Sequence, residues 1–465
     1  MKIGFKKFLC LILTLVLMSM IFTACGGSTP SDTPQNTQGA TTPGPGSSSE
    51  GNKEIGKVVD VLFFDNGKTI GAWEIAKQKF EAANPGVTVN LENTTKIQDV
   101  LRPRLLSGNA PDIVYDPGNP YKDYISAGAM EVLDDLLDTV LVPSRENKPI
   151  KEAALDGSFR YFQEKGHTYA LPLMTSVSGM YYNSGIFKDL NISEPQSWPE
   201  FLEACETIKN SGISPIIYTG MYAYMEYAFW PTIADYCSQD ELYEIMELKP
   251  GAWLKPNVIK ALGLFQQLAE KDYIFDGFIS MNHTQSQMEF LNKRAAMIPN
   301  GPWLESEMKD NWPQGFEVKF MPFPANEKVG DTRFVRYNNT GVWVPTQADN
   351  KTGGKEFLKY MYDTDVIKAF AKEAIIYALD EPTKGIEDVL IPSVASTYAQ
   401  IGQNGISTDY MFDLYKLYAN RQFCRDTINL ICSGQATAEE TAQIFEEEFQ
   451  KLANDPNVVK FTRPE

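Results

Sequence analysis

The sequence predicts an α/β protein with more than one sheet. Three observations support this: a strand, helix, strand order at the start of the body, the return of such units further along, and a length of 465 residues, beyond one ordinary core. Ile55 to Phe64 (IGKVVDVLFF) is an apolar, β-branched run that ends at Asp65-Asn66-Gly67. Trp73, Ala76, Phe80 and Ala83 then recur at helical spacing until Asn84-Pro85-Gly86, and Val87, Val89 and Leu91 alternate as in a strand. Ile97 to Leu106 reads as a helix closing at Gly108, with Pro103 inside it as an expected kink, and Pro111 to Tyr115 reads as a short buried strand. Phe201, Leu202, Cys205 and Ile208 form a stripe ended by Gly212, before a strand over Ile213 to Tyr218. Val258, Ile259, Leu262, Phe265 and Leu268 form another, ahead of the buried strand Ala295-Ala296-Met297-Ile298.

Residues 1–24 carry Lys2, Lys6 and Lys7, an apolar run from Phe8 to Met18, and small residues before Cys25, the three regions of a secretory signal. Ala24-Cys25 resembles the lipobox of bacterial lipoproteins, although Phe22 stands where that motif usually has Leu. Cys25 is then the expected lipid attachment site, with ordinary cleavage beside an incidental Cys as the alternative. Residues 25–54 are rich in Ser, Thr, Pro, Gly and Gln, too polar to repay ordering, and read as a tether. The expectation is an extracytoplasmic body held to the bacterial cell membrane by a lipid anchor.

The formal charge is −18, or −21 once the three leader lysines are removed, which argues against nucleic acid as a partner. Cys205, Cys237, Cys424 and Cys432 are widely spaced, so no zinc or dithiol motif is supported, and both disulfides and buried thiols stay open. His167 and His283 have no partner at metal spacing, so neither a metal nor a cofactor is expected. Gly67-Lys68-Thr69 suggests a phosphate loop, but Phe63 occupies the position of the required glycine.

Five stretches resemble the bacterial extracellular solute-binding proteins of carbohydrate ABC transporters (family 1): Leu105 to Val114 (LLSGNAPDIV), Gly166 to Asn183 (GHTYALPLMTSVSGMYYN), Pro195 to Glu203 (PQSWPEFLE), Phe290 to Trp303, and Ser433 to Glu440 (SGQATAEE). Ala296 to Trp303 and Tyr227 to Asp235 (YAFWPTIAD) are similar to maltose-binding protein, and Gly301 to Met308 (GPWLESEM) to the subfamily that binds N-acetylglucosamine and chitobiose. The resemblance implies a two-lobe periplasmic-binding-protein type II fold, with hinge-connected lobes around an interlobe ligand cleft. Lobe 1 is expected over 55–173 with a return around 335–375, and lobe 2 over 174–324 with much of 376–465. It also implies a monomeric, non-enzymatic receptor that delivers a mono- or oligosaccharide to an ABC transporter permease. N-acetylglucosamine, chitobiose and cello- or other gluco-oligosaccharides are the candidate ligands.

A sugar ring needs flat aromatic surface and fixed polar groups. Trp303, just after the Pro299-Asn300-Gly301-Pro302 turn, is expected to be a stacking platform, joined by Tyr227, Tyr222 and Tyr224 from the aromatic-rich run Thr219 to Trp230. Tyr222 and Tyr224 share a side if extended, and Trp230 reads as core. Asp65 and Asp116 end strands and are expected to accept sugar hydroxyls, with Ser176 and Asn339 as further polar contacts. Two alternatives remain: a secreted glycosidase using carboxylates such as Asp134, Asp135, Glu305 and Glu307, and a receptor for a non-sugar solute.

Overall fold

The computed structural model describes residues 55–463, apart from 66, 119, 223, 329–332, 401–405, 408–417 and 419–420. The signal, lipobox and tether therefore lie outside the described residues. The body, Lys53–Glu465, is one compact unit.

Strand β1 (Val58–Phe64) pairs in parallel with β2 (Thr88–Thr94) and β3 (Ile113–Tyr115). Helix α1 (Ile70–Ala83) crosses between the first two and buries Trp73, Ala76 and Phe80 of the predicted stripe together with Ala72, while Ala83, at the last turn, is exposed. Helix α2 (Ile97–Ser107) runs through Pro103 and ends at Gly108, whose φ of 72° is left-handed and free of a Cβ penalty.

The central element is β4 (Leu171–Asn183), thirteen residues shared by two sheets. Later segments complete both. These are α3 (Trp198–Asn210), β5 (Ser214–Ile216), α4 (Glu226–Tyr236), α5 (Pro256–Glu270), α6 (His283–Leu291), β6 (Ala295–Asn300), the single turn α7 (Leu304–Glu307), β7 (Val318–Met321), β8 (Arg336–Trp343) and β9 (Ile376–Tyr377). Helix α8 (Pro392–Tyr398) follows, and α9 (Arg421–Cys432) and α10 (Ala438–Asn454) pack on α5. The first half of β4 lies between β8, from Arg336↔Ser178 to Val342↔Leu171, and β9, at Ile376↔Thr175. Since β8 also pairs β3, these strands complete the first sheet. The second half of β4 lies between β6 and β7, with Asn300↔Gly179 and Met321↔Met180, and β6 carries β5 on its far side.

One chain thus passes from lobe to lobe between Ser178 and Gly179. Gly179 suits that passage because a Cβ there would sit 2.7 Å from the Phe320 ring. The return strand β8 meets the first sheet at Arg336 and β9 at Ile376, so each lobe is assembled from segments far apart in sequence. No described helix is long and apolar enough to cross a membrane. The four cysteines of the body are buried thiols rather than disulfides.

Candidate functional site

Trp303 follows β6 through Asn300-Gly301-Pro302 and caps α7. Its indole lies directly over Gly301, where a methyl group would overlap the ring. The short turn behind it is tied on three sides. Glu307 Oε2 accepts from Gln287 Nε2 at 3.1 Å and pairs with His283 Nε2 at 2.5 Å, both residues of α6. Ser393 Oγ of α8 donates to Glu305 Oε2 at 2.5 Å. Lys68 Nζ, from the loop after β1, donates to Ser306 Oγ at 3.1 Å, and Ser306 Oγ donates to the Trp303 carbonyl at 3.1 Å.

The structure brings Trp303, Tyr224, Tyr227 and Tyr222 together. Ring centroids of Tyr224 and Tyr227 stand 6.2 and 6.1 Å from Trp303, both edge-on, and 4.9 Å from each other. Tyr222 is 6.4 Å from Tyr224 and 6.3 Å from His283. Residues 220–222 and 224–225 form turns rather than a strand, however. Tyr224 N donates to the Tyr222 carbonyl and Tyr227 N to the Tyr224 carbonyl, so a tight turn gathers rings that strand alternation was expected to align. Burial grades across the cluster, with Tyr227 buried, Tyr224 and Trp303 half-buried and Tyr222 51% exposed. Burial raises the Tyr224 and Tyr227 phenols far above their ordinary range, so both stay neutral. The Arg336 guanidinium lies 5.0 Å over the Tyr227 ring. Trp230 is fully buried in the second core, as expected.

Asp65 is buried and serves its own turn first. Its Oδ1 accepts from Lys68 N, Thr69 N and Thr69 Oγ1 at 2.9, 2.7 and 3.0 Å, so these three bonds all fall on one oxygen of the carboxylate. Asp116 is also buried, accepting from Gln98 Nε2 at 2.7 Å and Gly118 N at 2.8 Å, and its described contacts stay within the first lobe. Ser176 and Asn339 lie on the crossing strands, not in the aromatic cluster. Ser176 faces Asn338 across the ladder, and Asn339 faces Thr175.

Asn339 is 2% exposed, and neither its Oδ1 nor its Nδ2 finds a protein partner; the same holds for Asn300 Nδ2, Thr175 Oγ1 and Ser178 Oγ. Leaving such groups unbonded costs about 1–3 kcal/mol each, so a buried amide with both ends open calls for an explanation.

Sequence reasoning missed Asn300, Lys68, Gln287, His283 and Arg336. Glu307 has a signal, four residues after Trp303 and one helical turn on, but by sequence it reads only as a candidate hydrolytic acid. Burial alone would raise its carboxyl, but hydrogen bonds from His283 and Gln287, with the His283 and Lys68 charges, hold it below the usual range. Among the described residues no group of three His, Cys, Asp or Glu side chains is arranged to hold a metal ion.

A family model for bacterial extracellular solute-binding proteins matches residues 66–368. Over 327 residues the chain is 23% identical to the diacetylchitobiose-binding protein NgcE of Streptomyces coelicolor, covering 68% of each. It is 24% identical to a multiple sugar-binding protein of Streptococcus mutans, over 65% of this chain and 71% of that one. Among solved structures, apo RafE from Streptococcus pneumoniae superposes with a TM-score of 0.70 at 18% identity, over 86% of this chain and 99% of that one. A chitin oligosaccharide binding protein gives a TM-score of 0.63 at 19% identity, over 84% and 98%. The shared strand β4, the two sheets and the match over most of the body lead to one conclusion: this chain belongs to the bacterial extracellular solute-binding protein family and has its two-lobe fold.

Proposed function

We propose that the body captures a mono- or oligosaccharide between its lobes and delivers it to an ABC transporter permease, with Cys25 lipidated and residues 25–54 acting as tether. The observation that carries this reading is the pairing of a half-buried aromatic group around Trp303 with buried amide groups that lack protein partners, Nδ2 of Asn300 and both ends of Asn339. An apolar ring face seats on the first, and hydroxyls satisfy the second. Trp303 is assigned as platform, Tyr224 and Tyr227 as the wall behind it, and Asp65 Oδ2, Asp116 and Ser176 as further polar contacts on the lobe 1 side. Relatives named for binding diacetylchitobiose and multiple sugars support this ligand class. N-acetylglucosamine, chitobiose and gluco-oligosaccharides are the first ligands to try.

The carboxylates that suggested a glycosidase are committed to other work. Asp134 Oδ2 pairs with His167 at 2.7 Å, Asp135 with Lys355 at 2.8 Å, Glu305 with Ser393 and Glu307 with His283. A general acid needs a raised pKa, and Glu307 is held low instead. Calorimetry against a sugar panel, run beside a search for released shorter sugars, tests the proposal. Saturable heat with a saccharide and no turnover is expected. Steady hydrolysis, or heat only with a peptide or metal, would replace it.

A further inference from the structure

Tyr222 is half exposed, yet the loop that carries it is held firmly. Gly220 N donates to the Phe278 carbonyl at 2.9 Å, Asn429 Nδ2 to the Gly220 carbonyl at 2.8 Å, and Arg425 Nη1 to the Met221 carbonyl at 3.0 Å. Gly220 itself packs so closely on Ile279 that any Cβ would overlap the Ile279 backbone. Two apolar neighbours share the exposure, Met221 at 51% and Ile279 at 43%.

An isolated exposed tyrosine means little. This one sits on a pre-set loop, is flanked by exposed apolar side chains, and continues the ring series that starts at Trp303. The steps are 6.2 Å from Trp303 to Tyr224 and 6.4 Å from Tyr224 to Tyr222. His283 fills the angle between the tyrosines, 4.8 Å from Tyr224, with its Nε2 tied to Glu307. A rigid aromatic ring held toward water binds with little ordering cost.

We infer that the site is built for a saccharide of at least two rings, with Trp303 under the inner ring and Tyr222 a specificity-determining platform for an outer one. The inference rests on the carbohydrate reading above. A single ring fills only the inner end and leaves Tyr222 and its apolar neighbours in water. A longer chain covers them, so affinity rises with length and the rise depends on Tyr222.

The test is calorimetry with two nested series, N-acetylglucosamine to its β-1,4 disaccharide and trisaccharide, and glucose to cellobiose and cellotriose, on the parent protein, Tyr222→Ala and Tyr222→Phe. In whichever series binds, the ratio of trisaccharide to monosaccharide affinity is expected to fall by about five- to tenfold in Tyr222→Ala and to survive in Tyr222→Phe. A parent affinity independent of length, or a Tyr222→Ala ratio equal to the parent's, overturns the outer platform while sugar binding itself stands. No heat with any member of either series overturns the carbohydrate reading and the platform together.

Discussion

Lys68 Nζ, carried by the first lobe, donates to Ser306 Oγ at 3.1 Å on the turn that carries Trp303, so a bond between the lobes ends one step from the indole. Asp65 holds the loop that aims Lys68, accepting from the Lys68 and Thr69 amides. The first lobe is therefore tied, through Ser306, to the turn that carries Trp303.

Lys68→Met keeps the aliphatic stem and removes the bond. Solution scattering should then show a larger radius of gyration than the parent in the absence of ligand, and ligand affinity should fall by about two- to fivefold, as suits one partly exposed hydrogen bond. An unchanged radius with parent affinity would deny the contact a part in closure. Saturating ligand should shrink the variant back toward the parent, because contacts on both lobes favour the closed form.

Gly301 and Trp303 make a second pair. Trp303→Ala removes one stacking face and should weaken saccharide binding by roughly ten- to a hundredfold, or about 1.5–3 kcal/mol. Its unfolding midpoint should stay close to the parent's, because the indole is only half-buried. Gly301→Ala keeps the indole but displaces it, since the new methyl would overlap the ring, and should weaken binding in the same direction. A full loss of stability in Trp303→Ala with binding retained by the folded fraction would make the residue core.

Acid sensitivity has a defined contributor in Glu247. Hydrogen bonds from Arg463 and then from Lys249 hold its carboxyl down at about 2, against an ordinary value of 4.5. Because the folded value is depressed, this contribution is present above pH 4.5 and is lost as pH falls toward 2. Glu247→Gln should lower the thermal midpoint at pH 7, and the gap to the parent should close through that window. A gap independent of pH would assign the effect to packing.

Cys205, Cys237, Cys424 and Cys432 should resist alkylation in the native protein and all react after denaturation, which mass mapping reads directly. Burial pushes Cys237 and Cys432 up to about 12 and raises Cys205 well above its usual range, so these three carry little thiolate at neutral pH. Rapid native labelling of any of the four would contradict its burial.

Cys25→Ser should release the protein from the membrane fraction while leaving ligand affinity unchanged, because the expected lipid site is far in sequence from every proposed ligand contact. Retention of the variant on membranes would point to another anchor.

The sequence by itself determined the local elements and the class. Apolar periodicity marked β1, α1 and the AAMI strand to within a few residues, because burial of a stripe or a run is written in adjacent positions. A tryptophan straight after a turn singled out Trp303 as a candidate, and five separated stretches marked the family. Tertiary structure alone decided the rest. That β4 serves two sheets and changes lobe between Ser178 and Gly179 depends on partners more than a hundred residues away, Asn300 and Arg336. No spacing pairs His283 with Glu307, or aims Lys68 at Ser306, for a side chain's distant partner is set by how whole elements pack. The same holds for Asn339, whose type is ordinary in a sequence and whose interest lies in being buried with both amide ends unbonded.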